Sequence, residues 1–464
     1  MAASPNVFPA PARAGFITPV VEAGRKVVND LRNAGFEAYF AGGFARDILI
    51  GRTIHDIDIA TNAHPDQVVQ AFPGSRGFGK SFGVVQVELD SFMFEVATFR
   101  HDLGYHDGRR PDAVVFTTAG EDATRRDFTI NGMFYDPSSH TILDYVEGKR
   151  DIDNRVIRAI GSPAQRFQED HLRLMRAIRF SAVLDFSIEQ KTLSAIQLLA
   201  HTLQSISVER IREEMMRIFM EAPRPGDALE LLNTSGILEV ILPEVKALIG
   251  VEQPPEFHPE GDVYQHVRLM LDTMSTRSPK LIWSILMHDI AKPATFAVGT
   301  NRHGKPVIQF RGHAESGAEM AESIMRRFRC SNDEIDDVKI AVLNHMRFMA
   351  VPEMKNSTLR KWVGSPTFPL ELELHRIDCL GCHGKLDHYQ QINDFRQKLS
   401  EEPVLPAPLL RGQDLMAAGI SSGPVMGKVL KQLYDAQLEG TFTSREDALA
   451  WLKVNLPRLT NVNK

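Results

Sequence analysis

Asp56 and Asp58 stand two residues apart in the run Asp56-Ile-Asp-Ile-Ala-Thr. Residues two apart on a strand share a face, so both carboxylates point one way while Ile57 and Ile59 point into a core. Two hard-oxygen groups on one face suit Mg²⁺, an ion that bridges the oxygens of a nucleotide triphosphate. Upstream, Gly42 and Gly43 end the apolar run Ala38-Tyr-Phe-Ala, and glycines there let backbone N–H groups approach an anion closely. Arg46 falls in the first turn of the helix that follows, within reach of the same phosphates. Glu95 lies mid-strand among apolar residues in Phe94-Glu-Val-Ala-Thr-Phe-Arg. A carboxylate buried there is costly unless paired or metal-bound, which makes Glu95 a candidate third ligand, placed to activate an attacking hydroxyl. The bland alternatives are a turn, a solvated Asp-x-Asp edge and an edge-strand glutamate facing water. The order and spacing of the pieces carry the chemical reading.

Two further clusters follow. In Arg125-Arg-Asp-Phe-Thr-Ile-Asn, the simplest expectation is a helix start with Asp127 as N-cap. The chemical one puts Arg126 on triphosphate oxygens and Asp127 by the ribose hydroxyls, with Asn131 on the same helix face holding the loop or the sugar. In Glu169-Asp-His-Leu-Arg-Leu-Met-Arg, Asp170 and Arg173 are three apart and so neighbours on a helix face, an ion pair worth only a few tenths of a kcal/mol. As hydrogen-bonding groups they present one acceptor and a fork of donors. Cytosine and adenine each offer an amino donor beside ring acceptors. Uracil and guanine place a carbonyl there, which an ionised Asp170 repels. The pair could therefore select C and A without a template.

The second half of the chain carries His266, His288-Asp289, His313, His345 and Asp378. Imidazole with carboxylate suits Mn²⁺, Fe²⁺, Ni²⁺ or Zn²⁺, and Lys292 is placed to reach a phosphate. The competing expectation is a degenerate site kept for packing. Cys379-Leu-Gly-Cys382-His383 fits a haem attachment pattern. It lies inside the ligand-bearing helix, no export signal accompanies it and no Met-rich partner site is evident, so haem is rejected. A zinc ribbon would need a second cysteine pair.

These residues need elements to hold them. Helical spacing covers 21–34, strands are expected at 38–41, 84–89 and 92–99, and a strand pair spans 135–146 around Pro137-Ser-Ser. From about residue 163 the pattern is helical, apart from Val307-Ile-Gln-Phe. The 464 residues exceed one compact core and suggest two to four domains. The fold class is α+β: a small mixed domain followed by a long helical body. The net charge of −6 argues against non-specific coating of nucleic acid but leaves room for one cationic groove. Three cysteines suggest a reducing compartment. With no apolar leader and no run of about 18 apolar residues, the expected location is cytoplasmic, with no membrane span.

Taken together, the GG-x-x-R-D…D-x-D, R-R-D-x-T-I-N and E-D-x-x-R-x-x-R elements between about 40 and 186 resemble those of the class II tRNA nucleotidyltransferases, the CCA-adding enzymes, and their relatives the bacterial poly(A) polymerases. The resemblance implies a polymerase-beta-like nucleotidyltransferase head (1–160), an all-helical neck that binds RNA and nucleotide (161–250), an HD-type body (251–395) and a helical tail (396–464). It implies that Asp56 and Asp58 bind Mg²⁺ beside Glu95, that Gly42, Gly43, Arg46, Arg126, Asp127 and Arg176 bind the nucleotide, and that Asp170 and Arg173 read its base edge. The implied reaction is template-independent addition of CCA to the tRNA 3′ end from CTP and ATP, with release of pyrophosphate. The implied partners are the tRNA acceptor end and the two nucleotides, with neither DNA nor membrane; oligomeric state is unread. Gly132 replaces the Ala that many members carry after T-I-N, a minor departure. The stretch 100–111 reads as a mobile cationic loop. Members that add only CC are shortened here, so CC-only addition is disfavoured, whereas A-only and poly(A) addition share every motif. His288-Asp289 resembles the HD phosphohydrolases: His266, His288, Asp289 and Asp378 match their four ligands. His313 and His345, with Lys292, match a second metal or phosphate site. That implies a phosphatase or cyclic phosphodiesterase side activity. The rival reading is an HD phosphohydrolase whose front domain only binds RNA.

Overall fold

The computed structural model describes residues 4–11, 18–54, 56–75, 83–105, 111–254, 258–300, 302–399 and 403–460. The chain divides into two compact units, 1–246 and 247–464.

The first unit opens with β1 (Asn6–Pro9), α1 (Pro19–Asn33), β2 (Ala38–Ala41), α2 (Gly43–Ile50), β3 (Asp58–Thr61), α3 (Pro65–Ala71), β4 (Val84–Leu89) and β5 (Phe92–Thr98). There follow β6 (Arg100–Tyr105), β7 (Pro111–Phe116), α4 (Ala119–Arg125), β8 (Met133–Asp136), β9 (Thr141–Asp144), α5 (Gly148–Asp153) and β10 (Val156–Ile157). Seven strands form one sheet in the order β1-β9-β8-β2-β3-β5-β4. Only β3 and β5 pair in parallel within it. Helix α1 starts at Pro19, whose fixed φ suits a first turn. Its apolar stripe, Ala23, Val27, Val28 and Leu31, is buried. A Cβ at Gly24 would lie 3.2 Å from the Phe40 ring, so glycine lets α1 sit close on the sheet. The β4–β5 hairpin closes through Asp90 and Ser91 at φ 52° and 67°, the positive values that a two-residue turn matching strand twist requires.

The stretch read as a loop is different. β6 and β7 pair antiparallel from Arg100↔Phe116 to Tyr105↔Pro111, and residues 106–110 lie outside the described ones. The hairpin was hidden because its pairing is made by backbone groups, and its first strand carries charge rather than alternating apolar residues. Asp102 lies 3.0 Å from Arg100 Nε.

The rest of the unit is α6 (Pro163–Glu169), α7 (Arg173–Leu184), β11 (Ser187–Ile188), α8 (Gln190–Leu199), α9 (Val208–Glu221), α10 (Pro225–Thr234), α11 (Ile237–Ile241) and α12 (Pro243–Lys246). This segment is not wholly helical: β11 pairs in parallel with β10.

The second unit contains α13 (Val263–Thr273), α14 (Pro279–Met287), α15 (Lys292–Thr295), the hairpin β12 (Phe296–Thr300) and β13 (Pro306–Phe310), α16 (His313–Arg327) and α17 (Asn332–Asn344). A 3₁₀ segment His345–Glu353 leads to α18 (Asn356–Val363), α19 (Phe368–Gly381) and α20 (Asp387–Lys398). Helix α14 is capped by Ser278, begins with Pro279 and is buried from Leu281 to Met287. A helix apolar on every side belongs at the centre of its domain, and His288 and Asp289 follow directly from its end. The tail, α21 (Gly412–Ala417), α22 (Pro424–Leu438) and α23 (Arg445–Thr460), closes its own cluster around Leu415, Val429, Leu433 and Leu452. Among the described residues no helix is long and apolar enough to cross a membrane.

Candidate active site and metal centre

In the first unit the parallel pairing of β3 with β5 sets Asp58 directly beside Glu95. Both side chains are exposed, while Ile59, Phe94 and Val96 are buried on the opposite face. Strand neighbours in register lie about 4.8 Å apart, so two carboxylates share the solvent face. Glu95 is therefore neither buried nor on an edge strand, since β5 lies between β3 and β4. Asp56 precedes β3 rather than belonging to it, and it too is exposed. The Asp58 carboxyl is pushed above the ordinary carboxylate range by lost hydration in the cleft and by the charges of Glu95 and Asp56, with Arg126 opposing. Like charges held this close call for a cation. The backbone leaves room for it: Gly42 has φ 65°, and a Cβ there would lie 2.9 Å from Asp58 Oδ2. The donor set, three carboxylates with no soft ligand, fits Mg²⁺.

Around the acids stand arginines. Arg126 donates to Asp122 Oδ2 from Nη2 at 3.0 Å and lies over the Phe134 ring. Arg46 is forked on Asp47 and donates from Nη1 to Asn131 Oδ1 at 2.7 Å. Phe180 is a shared platform, its ring within 5.3 Å of the guanidinium carbons of Arg46, Arg176 and Arg179. Such cation–π contacts strengthen where water is excluded. Asp127 is not an N-cap. Its Oδ1 accepts from Phe128 N and Asn131 Nδ2, and its Oδ2 from Arg176 Nε and Nη2 at 2.8 and 2.6 Å. Both oxygens are engaged in holding Asn131 and Arg176. Burial would raise its pKa, but Arg176 outweighs that and brings it to about 2.

A depressed carboxylate stabilises the fold fully above its ordinary value and loses that contribution as pH falls through the folded one. The first unit is thus expected to lose about 2 kcal/mol between pH about 4 and about 2. Urea midpoints across that range test this. Asp127→Asn should remove this component, and an unchanged acid slope in the variant would reject the assignment.

The base-edge pair is arranged differently from the expectation. Asp170 is extended, φ −143° and ψ 105°, between α6 and α7, so it shares no helix with Arg173. Its Oδ1 accepts from Leu172 N and lies 3.8 Å from Arg210 Nη2. Arg173 pairs with Glu169 instead, Nη1 donating to Oε2 at 2.6 Å and to Arg166 O at 2.9 Å, while Nη2 donates to Arg125 O. The guanidinium is nearly buried and held in orientation by these three acceptors. Glu169 was missed as a holding residue. It ends α6 while Arg173 opens α7, so the contact crosses the extended Asp170 and no helical spacing marks it.

In the second unit the predicted ligands converge from five elements. His266 Nε2 lies 3.0 Å from Asp378 Oδ1. Asp289 Oδ1 lies 3.5 Å from His313 Nε2 and 3.7 Å from His345 Nε2, and those two Nε2 atoms are 3.1 Å apart. Three groups have ligand atoms close enough for one ion each: His258, Glu260 and His266, then His266, His288 and Asp378, and finally Asp289, His313 and His345. The Nδ1 atoms of His288, His313 and His345 each face a backbone carbonyl, of Ile285, Phe310 and Val342. That contact fixes the tautomer and aims Nε2 inward, as metal-binding imidazoles require. His288 Nε2 is buried and has no hydrogen-bond partner among the described residues, although Asp289 Oδ2 lies 3.1 Å away. An orphaned imidazole nitrogen beside carboxylates fits a transition metal. Burial lowers His345 to about 4, keeping it neutral and ready to ligate. Asp289 is held well below the carboxylate range: burial opposes ionisation, and His288 and Lys292 overcome it.

Sequence reasoning passed over three residues here. Glu260 Oε1 lies 2.8 Å from His258 Nδ1 and 2.9 Å from His266 Nδ1. Gln253 Oε1 accepts from Lys292 Nζ at 2.6 Å. All three lie in or beside the Gly-Pro-rich break at 252–261, where no periodicity marks a site.

Comparison with known proteins matches three stretches of the chain. Residues 38–158 match the family model "Poly A polymerase head domain", 185–249 match "Probable RNA and SrmB- binding site of polymerase A", and 262–380 match "HD domain". The CCA-adding enzyme of Enterococcus faecalis is 44% identical over 209 residues, 45% of this chain and 51% of its own length. That of Lactobacillus helveticus is 47% identical over 235 residues, 50% of this chain and 57% of its own. The chain spans about half the length of these curated relatives. Among solved structures, the Bacillus stearothermophilus CCA-adding enzyme in complex with CTP superposes with a TM-score of 0.71 at 26% identity, covering 96% of this chain and 100% of that one.

Proposed function

We propose that this chain, whose parts match the poly(A) polymerase head, the polymerase RNA-binding and the HD family models, adds CCA to tRNA 3′ ends from CTP and ATP. The single observation that carries this reading is the in-register pair Asp58 and Glu95, with the Arg126 guanidinium acting on the Asp58 carboxyl. In the proposed reaction the RNA 3′-hydroxyl oxygen bonds to the α-phosphorus while the bond to the β-phosphate oxygen breaks and pyrophosphate leaves. Mg²⁺ held by Asp56, Asp58 and Glu95 would supply Lewis-acid stabilisation of the phosphoryl oxygens. Glu95 is the group placed to take the hydroxyl proton. Arg46, Arg126 and Arg176 offset the triphosphate charge, with Arg176 fixed by Asp127. Gly42 and Gly43 bring backbone N–H groups to the phosphates. Asp170 and the locked Arg173 meet the amino group and ring acceptors that C and A share. The partners are the tRNA acceptor end and the two nucleotides, and the setting is the cytoplasm.

Incorporation separates the alternatives. Purified protein is given tRNA ending before, within and after CCA, with each nucleotide supplied singly. Two cytidines and one adenosine are expected, then arrest. Long A-tails without CTP use would select poly(A) synthesis, and A alone on tRNA ending in CC would select A-only addition.

A second activity rests on a separate observation, the orphaned His288 Nε2 amid six convergent ligands. The second unit is read as a phosphohydrolase acting on a phosphomonoester or 2′,3′-cyclic phosphate at an RNA end. His266, His288, Asp289 and Asp378 would hold one Mn²⁺, Fe²⁺, Ni²⁺ or Zn²⁺, and Asp289, His313 and His345 a second. Domain limits of 1–160, 161–250, 251–395 and 396–464 complete the proposal.

A further inference from the structure

Lys292 follows the ligand Asp289 by one helical turn and is buried, with its ammonium 2.7 Å from Asp289 Oδ2 and over the Phe310 ring. Its other contact is Gln253 Oε1 at 2.6 Å. Lysine has no acceptor, so this contact settles which end of the amide faces it: the oxygen must, and the NH₂ group must point elsewhere. That NH₂ group is the anomaly. Gln253 is 4% exposed, and its Nε2 is buried with no hydrogen-bond partner among the described residues. Leaving a buried amide donor unpaired costs about 1–3 kcal/mol, and in a native protein such a group calls for a ligand or a purpose. An acceptor-rich anion is the chemistry it lacks.

We propose that Gln253 and Lys292 form a phosphate-oxygen subsite beside the metal centre of the second unit, the amide Nε2 and the ammonium donating to the phosphoryl group of the substrate. The inference rests on the phosphohydrolase reading and adds to it the residue that grips the substrate. Gln253 has two jobs that its amide combines. Its oxygen steadies the ammonium without neutralising it, and its nitrogen donates to the anion. A glutamate would keep the first job and reverse the second, since it pairs with Lys292 and turns an acceptor toward phosphate. A leucine would lose both at similar volume. The signal was invisible in the sequence, because Gln253 lies 39 positions from Lys292 and belongs to no motif.

The test uses the full chain loaded with Mn²⁺ and inorganic phosphate as the probe, titrated calorimetrically. Gln253→Leu is expected to weaken phosphate binding by roughly tenfold or more, as a lost hydrogen bond to a charged group implies, and Gln253→Glu by more still. Metal content and thermal midpoint should match wild type in both, which separates a lost contact from a lost fold. With 2′,3′-cyclic CMP as substrate, KM should rise far more than kcat falls. Equal phosphate affinity in all three proteins, or no phosphate binding by wild type, overturns the subsite. If phosphate binding depends on Gln253 but wild type hydrolyses no phosphoester, the subsite stands and the phosphohydrolase reading falls.

Discussion

Asp58→Ala is expected to cut nucleotide incorporation by about a thousandfold while the protein keeps or gains stability. The loss follows from position: Asp58 is the middle of three carboxylates, in register with Glu95 and against Gly42. Removing a group that organises charge at a phosphoryl-transfer site commonly costs two to three or more powers of ten, each about 1.4 kcal/mol of barrier. The stability claim follows from the sign of the pKa shift. A folded-state pKa raised above the unfolded one contributes stability only below the ordinary carboxylate range and loses it as pH rises through the folded value. At neutral pH the ionised Asp58 therefore strains the fold. Asp58→Asn, which keeps shape and removes charge, should be equally inactive. Labelled-nucleotide incorporation and thermal unfolding at pH 7 read both halves. Activity within tenfold of wild type would sink the site, and a large fall in midpoint would sink the electrostatic account.

Why this site was legible and others were not comes down to range. The strands at Ala38–Ala41, Val84–Leu89 and Phe92–Thr98 lie where their apolar patterns put them, because burial writes itself locally. Gly42, Arg46 and Asp58 follow in one short stretch of chain. The partnership of Asp58 with Glu95 is another matter, since it needs two strands to pair in parallel across 37 positions, which no local pattern encodes. Asp170 and Arg173 show the opposite error. Their spacing was read as one helix face, but the chain is extended at Asp170 and the arginine turns to Glu169. Helical spacing implies contact only if the helix runs through both residues. The hairpin of β6 and β7 escaped because charge masks a strand whose pairing is made by backbone groups. In the second unit His288 and Asp289 could be found since they adjoin. Glu260 and Gln253 act through other residues, and supporting groups carry no spacing of their own.

Asp289 is where the second unit is most exposed to experiment. It is 2% exposed and reaches four other groups of the centre: His288 and Lys292 through Oδ2, His313 and His345 through Oδ1. Asp289→Ala would strand the Lys292 ammonium in a buried site, and breaking a buried ion pair from one side costs about 3–5 kcal/mol. Loss of hydrolysis in that variant would therefore confound chemistry with unfolding. Asp289→Asn is the sharper change, since it keeps the volume and one acceptor oxygen while removing the charge shared by the two ligand groups. It is expected to lower phosphoester hydrolysis by at least about a thousandfold and to lose bound metal, while CCA incorporation, whose residues all lie in the first unit, stays within about twofold. The wild type should also unfold at higher temperature with metal than with chelator, as ligand binding to the native state requires, by about 2.7 kcal/mol at a hundredfold excess over Kd. Asp289→Asn should show no such difference. Full metal content with unchanged hydrolysis in the variant would mean that the histidines hold the ion without it, and the two-group centre built around Asp289 would have to be abandoned.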